Sequence, residues 1–402
     1  MESLATIGLA HGLANPDDAL GPPRTTLTLN SGGMMLATMT TWTMTTWLLF
    51  LPLPILQPDV SISLTDNQQA TIAFWNLENL FDFEDDPNNP GDDEFLPEKE
   101  WDEARYLRKL DHLARAVDSL DAQLLAVCEV ENRRVLEDLI SQPALAEQNW
   151  SIAHIDSPDH RGIDLALLFR QPFSLDGQAT LHTIDLGGNA SPTRGVLEVP
   201  VKAGGRPLTV LVNHWPSRYG GAEKSAPRRA AAAQTVRKIT DQRLADDHDR
   251  DLIIVGDLND DPWDDSVRRQ LKAVRELRSV THESNLKPGR DGKFSPRLWN
   301  PSWSFASEPD TGTYYYWNDW SWNCFDQVIV SPGMLDDAGI QLIQGSIQVH
   351  APDFMRDSEQ NARRPARFRQ FRGRWEEGFS DHFPIKFDIR IELSDVEPQT
   401  ND

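Results

Sequence analysis

The sequence predicts an α/β fold, a mixed β-sheet system covered by helices. Short apolar runs rich in β-branched residues recur along the chain, two long helical stretches separate some of them, and others follow one another directly. The first strand is predicted at Thr71 to Trp75, running into Asn76-Leu-Glu78-Asn79, with an acidic, Pro-rich loop from Asp82 to Glu100 behind it. Leu107, Leu110, Leu113, Ala114 and Val117 recur at helical spacing and predict a helix from Asp102 to Leu120. A buried strand from Ala122 to Cys128 ends in Glu129-Val-Glu131-Asn132, and Arg133 to Ile140 reads as a short helix. Strands are expected around 150–155, 163–169, 196–201 and 208–212, the last running into Asn213-His214-Trp215-Pro216-Ser217-Arg218. A helix from about Ala226 to Leu244 leads to the central stretch 251–262, DLIIVGDLNDDP. There Leu252 to Val255 read as a strand buried on both faces, Gly256 as its end, and Asp257 to Pro262 as a tight turn. Asp326 to Val330 and Phe383 to Ile389 complete the strands, and no internal repeat of fixed period is visible.

At 402 residues and 39% hydrophobic content the chain can bury a substantial core. Its net charge of −23 argues against a generic, sequence-blind grip on nucleic acid. A local basic site, or bound cations that reverse the field, remain compatible with it. Cys128 and Cys324 are too few for a disulfide framework or a Cys-based zinc site, and their apolar surroundings predict buried free thiols. Residues 1–65 differ from the rest, with Arg24 the one Lys or Arg before Lys99. The segment 34–56 has a short signal-like apolar core but no basic n-region, and its prolines and brevity rule out a stable membrane span. The expected organisation is a processed or disordered leader over 1–65, leaning towards secretion or the cell envelope, one domain over 66–392, and a polar tail over 393–402. The protein is expected to be a monomer.

Several predicted strands end in a group able to hold a metal or a proton. Asn76 and Glu78 end the first, Glu129 the second, His214 a later one, and Asp257 with Asn259 the central one. Asp326 starts its strand, and Asp381-His382 immediately precede the last. Each has a plainer explanation. Asn and Asp at strand ends form turns, Asp381 would serve as a helix cap, and His214 beside Trp215 would serve as a structural histidine. Their recurrence in a chemically sensible order is what favours a site.

The segments WNLEN, LAVCEVEN, RGIDLALLFR, LVNHWPSR, IIVGDLND, FDQVIVS and GFSDHFP, in this order over roughly residues 70–392, resemble the endonuclease/exonuclease/phosphatase superfamily. The WNLEN and NHWPSR motifs and the long loop before Ser380-Asp381-His382 are closer to bacterial extracellular-nuclease-like members. The resemblance implies a four-layer α/β sandwich, two packed mixed sheets flanked by helices, with the site at one end of the sheets. It also implies hydrolysis of a phosphoester with Mg²⁺ or Mn²⁺, the hard cations that oxygen ligands favour. By the same resemblance Glu129 is the principal metal carboxylate, helped by Asn76, Glu78 and Asp381, with Glu131 able to share or replace its role. Asp257 orients or deprotonates the attacking water beside Asn259, and His382 contacts the scissile phosphate with Asp326 fixing its tautomer. His214 is a candidate general acid and Arg161 a phosphate contact.

The substrate expected is nucleic acid, DNA or RNA, or another phosphoester. Arg363, Arg364, Arg367, Arg369, Arg372 and Arg374, interleaved with Phe368 and Phe371, suggest either a positive lip that binds substrate or a solvated loop. The Trp- and Tyr-rich segment 299–322 reads as a satellite core or as a surface for bases or lipid. The rival readings are a phosphatase, a phospholipid phosphodiesterase, and an inert binding module on the same fold.

Overall fold

A computed structural model of the chain describes residues 67–393 apart from 88, 189, 309, 319 and 358–362. The leader expected at 1–65, its signal-like segment and residues 394–402 of the tail lie outside the described residues. The first half of the domain contains β1 (Asn67–Leu80), α1 (Glu103–Leu120), β2 (Leu124–Val130), α2 (Arg133–Ile140), β3 (Ser151–His154) and β4 (Asp164–Phe169). Next come β5 (Phe173–Leu175), β6 (Thr180–His182), β7 (Val196–Ala203), β8 (Arg206–His214), α3 (Ala222–Asp246) and β9 (Leu252–Asp257). Then follow β10 (Ala273–Val274), β11 (Leu298–Trp299), a hairpin of β12 (Tyr314–Tyr316) and β13 (Ser321–Asn323), and β14 (Asp326–Val330). The chain closes with β15 (Ile340–Leu342), β16 (Gln348–Val349), a hairpin of β17 (Phe368–Phe371) and β18 (Arg374–Glu377), and β19 (Ile385–Glu392).

Two mixed sheets result. One has the order β15-β19-β1-β2-β4-β3, with β16 also on β19, and the other β10-β11-β14-β9-β8-β7-β5, with β6 on β7. Side-chain alternation along each strand explains why they stack. Ile72, Phe74, Leu124, Ala126, Phe387 and Ile389 of the first sheet meet Val199, Val210, Val212, Ile253, Val255 and Val328 of the second in one buried core. Ala73, Trp75, Leu125 and Val127 face the opposite way, onto Leu110, Leu113 and Val117 of α1 and Val135 and Leu136 of α2. Leu211, Leu252 and Ile254 of the second sheet face Ala232, Ala233 and Val236 of α3. The layers are therefore helix, sheet, sheet, helix.

Local signals place the helix starts. Asp102 caps α1 by accepting from the Arg105 N–H at 2.9 Å, and Asn132 caps α2 by accepting from the Val135 N–H at 3.1 Å. Leu107, read as part of the apolar stripe of α1, is instead 48% exposed, and the stripe runs through Tyr106, Lys109, Leu110 and Leu113. Gly256 does not end the central strand. β9 runs on to Asp257, with Gly256 paired to Asn213 of β8 and Gln327 of β14. A Cβ at Gly256 would lie 2.2 Å from the Asn213 carbonyl oxygen, so close strand approach demands glycine there. Cys128 and Cys324 are both buried and free, as their contexts suggest. No helix among the described residues is long and apolar enough to cross a membrane.

Asp251, at the entry to β9, accepts from the Ile340 N–H at 3.1 Å, and burial pushes its carboxyl up to about 8. A raised folded-state value means that this group's contribution is fully present below the unfolded value near pH 4 and is lost as pH rises through about 8. Asp251→Asn keeps an acceptor for Ile340 without the charge. Its melting temperature is expected to exceed that of the wild type at pH 8 and to match it near pH 4. Equal offsets at both pH values would contradict this.

Candidate active site at the strand ends

Strand direction brings the predicted residues together. β1 and β2 are parallel, as are β8 and β9, so their carboxyl ends share one edge of the sandwich. β19 runs antiparallel to β1, and β14 to β9, so their amino ends reach the same edge. Asn76, Glu78, Glu129, His214, Asp257, Asp326, Asp381 and His382 therefore converge from both sheets. In register, Asp257 lies between His214 on β8 and Asp326 on β14. Local backbone departures aim the carboxylates. Glu78, Asn79, Glu129 and Asn259 have φ of 50°, 56°, 60° and 50°, a left-handed conformation uncommon outside glycine. Bulges in the β1–β2 and β2–β4 ladders accompany them.

Asp257 is the centre of the arrangement. Its Oδ1 accepts from the Asn259 N–H at 2.9 Å and its Oδ2 from the Asn76 side-chain amide at 3.2 Å. Both imidazoles aim Nε2 at Oδ2, His214 at 3.6 Å and His382 at 3.7 Å. Burial pushes the Asp257 carboxyl up to about 7, opposed by His382 and reinforced by Asp326. His382 Nδ1–H donates to Asp326 Oδ2 at 2.7 Å, which fixes the tautomer that leaves Nε2 facing the site. Burial opposes the charge on His382, but Asp326 and Asp257 together hold it well above the ordinary imidazole range. His214 is the reverse case. Burial, Arg194, Arg161 and His382 hold it well below that range. Glu129 stands next to the pair, with Oε1 3.7 Å from His214 Nε2 and 3.8 Å from Arg161 Nη2.

The chain matches the family model described as Endonuclease/Exonuclease/phosphatase family over residues 71–391. The chain belongs to the endonuclease/exonuclease/phosphatase family. Members of this family are hydrolases of phosphoesters, and the fold generally uses divalent metals. Among solved structures, a family protein from Bacteroides thetaiotaomicron is 16% identical with a TM-score of 0.50, covering 82% of this chain and all of that one, a likeness of fold. A truncated Caenorhabditis elegans TDP2 is 15% identical with a TM-score of 0.48, covering 80% of this chain and 97% of that one. The Bacteroides thetaiotaomicron mannosyl-6-phosphatase Bt3783 is 16% identical with a TM-score of 0.48, covering 80% and 99%. Comparison with curated proteins finds no match.

The donors at the family site suit a hard divalent cation. Among the described residues, Oε1 of Glu129 faces only Arg161 and His214, both beyond hydrogen-bond range, while Oε2 accepts from the Asn79 N–H at 3.1 Å. Asp257, Asp326 and His382 also bring candidate ligand atoms within 4.8 Å of one another. The site is rich in carboxylate oxygen, the donor that hard divalent cations favour. Glu131 is elsewhere. The bulge at Glu129 ends the alternation, and Glu131 turns away to accept from the Asp82 N–H at 2.9 Å. Burial pushes its carboxyl up to about 8.

The arginine-rich stretch is not one positive lip. Arg364 pairs with Asp357, Arg369 with Glu376 across the β17–β18 hairpin at 2.8 Å, and Arg372 sits in the hairpin turn over Phe371. Arg367 reaches inward to Glu78 and Asp381. Acidic neighbours thus engage Arg364, Arg367 and Arg369 one at a time. The segment 299–322 is neither a closed core nor wholly open. Tyr314 packs 4.8 Å from the His382 ring and Trp322 stacks on Phe383, whereas Trp320 is 68% exposed.

Sequence reasoning missed several supports of the family site. Buried Arg194 donates to the carbonyls of His214 and Trp215 and to Asp159. Arg218 donates to the Asn259 carbonyl at 2.9 Å and to Asp260, Asp261 and Asp264, which holds the central turn. Lys109 donates to the carbonyls of Glu78 and Asn79. Lys109 alone had a signal, a charge on the apolar stripe of a helix.

Proposed function

We propose that the protein is a divalent-metal-dependent phosphodiesterase, a nuclease that cleaves DNA or RNA by in-line attack of water. The observation that carries this reading is Asp257 with both imidazole Nε2 atoms at 3.6 and 3.7 Å on one oxygen and Glu129 alongside. A phosphodiester is anionic and resists attack, so a site must hold the nucleophile, contact the phosphoryl oxygens and assist the leaving oxygen. Asp257 accepts the proton of the attacking water, and Asn259 and Asn76 hold its carboxylate in place. His382, charged and tautomer-locked, donates from Nε2 to a phosphoryl oxygen. His214 donates its Nε2–H to the leaving side, and Arg161, 43% exposed beside Glu129, contacts the phosphate. Glu129 with Asn76 would hold Mg²⁺ or Mn²⁺, which would supply charge neutralisation at the phosphate.

The test is a substrate panel of single- and double-stranded DNA, RNA, a chromogenic phosphodiester, inositol phosphates and sphingomyelin, each with Mg²⁺, Mn²⁺, Ca²⁺ or chelator. Chain cleavage that chelator abolishes is expected. Release of inorganic phosphate without chain cleavage would favour a phosphatase, and an untouched panel would end the enzyme reading. Glu129→Gln is expected to lower metal-dependent turnover by about 10²-fold or more, and Glu131→Gln to leave it within about threefold. Equal losses would return the metal role to both glutamates.

A further inference from the structure

Glu78 and Asp381, expected to help Glu129 hold a metal, already share a cation. Arg367 Nη2 lies 2.5 Å from Glu78 Oε1 and 3.0 Å from Asp381 Oδ2, and Nε donates to Glu78 Oε1 at 2.6 Å. The Phe368 N–H donates to Glu78 Oε2 at 3.3 Å, so both oxygens of this buried carboxylate are engaged. Lys109, from α1, donates to the Glu78 carbonyl on the same segment. The guanidinium is itself held in place, because Phe368 is buried edge-on against Trp101 and the hairpin that follows packs Trp375 there too. A guanidinium stays charged at any working pH and matches a carboxylate in geometry. A divalent ion entering between Glu78 and Asp381 would have to evict it and leave two like charges, Arg367 and Lys109, beside the ion. At Glu129 the pairing is looser, since Arg161 Nη2 stands off from Oε1 at 3.8 Å, beyond hydrogen-bond range.

We infer that Arg367 is a tethered cation of the active site, which bridges Glu78 and Asp381, excludes a divalent ion from between them and leaves Glu129 as the carboxylate for the one ion the site takes. The inference rests on the divalent-metal part of the proposed function and is independent of which phosphoester is cut. It turns an arginine expected to bind substrate into one that sets the number of metal ions.

The experiment is a Mn²⁺ titration of the full chain without substrate, with free Mn²⁺ followed by electron paramagnetic resonance. Wild type is expected to bind one ion, and Glu129→Gln to weaken it by at least about tenfold. Arg367→Gln is expected to bind two ions, whereas Arg367→Lys, which keeps the charge, and Arg369→Gln, on the same hairpin, stay at one. Near-UV circular dichroism of the tryptophans reports whether each variant keeps the native packing. Two ions in the wild type would overturn the inference, as would one ion in a folded Arg367→Gln. If wild type binds none, the metal reading falls with it. Loss of nucleic acid cleavage alone, with one ion still bound, would instead remove only the nuclease reading.

Discussion

Replacing Asp257 with Asn is expected to lower kcat by about 10²–10⁴-fold while leaving the fold intact, as measured on a chromogenic phosphodiester and by thermal melting. Asn is isosteric and still accepts the Asn259 N–H, so β9 and its turn retain their hydrogen bonds. What changes is Oδ2. An amide there takes no proton from water, and it can turn an NH₂ towards the Asn76 amide and the imidazoles that now point at a carboxylate. Burial also gives the wild-type carboxyl a value of about 7, so a base at this position works near neutrality. Activity of the wild type is expected to rise with pH through about 7, because the base must be deprotonated, and the variant is expected to lose that limb. A folded Asp257→Asn enzyme within tenfold of wild type would remove Asp257 from the chemistry.

His382→Ala is expected to cost a similar amount, and Asp326→Asn about 10²-fold. Asp326 is wholly buried and hydrogen-bonds His382 Nδ1 at 2.7 Å. An Asn at 326 gives the ring a weaker acceptor, or a donor that reverses the tautomer and withdraws the Nε2–H from the phosphate. Since Asp326 acts through His382, the double variant should be no slower than His382→Ala alone. Additive losses would show an independent role for Asp326. The same pair distinguishes an altered site from a damaged fold, because melting temperature and kcat should fall independently.

Much of this site was legible because strand-end chemistry is written locally. An apolar run followed closely by Asp, Glu, His or Asn identified Glu129, His214 and Asp257 before any pairing was known, and an Asp at the start of such a run identified Asp326. The order of the runs then carried the family and, through it, the four layers. Glycine misled in one place. Gly256 reads as a terminator, yet it is a strand residue made necessary by the Asn213 backbone, 2.2 Å from where a Cβ would sit. The choice between Glu129 and Glu131 also failed at short range. Alternation puts both on one face, and only the bulge at Glu129, with φ of 60°, sends them apart.

The arginines show the same limit from another side. Their clustering at 363–374 suggested a shared surface, but a sequence does not state which acid each guanidinium will meet. The partners of Arg367 are Glu78 and Asp381, and Glu78 is separated from it by 289 residues. Composition, strand periodicity and motif order thus determined the architecture, the family and which residue types gather at one edge. The tertiary structure decided which of them carry free charge. Charge is compensated by whatever lies within a few ångströms, and that neighbourhood exists only once both sheets and the β17–β18 hairpin are in place.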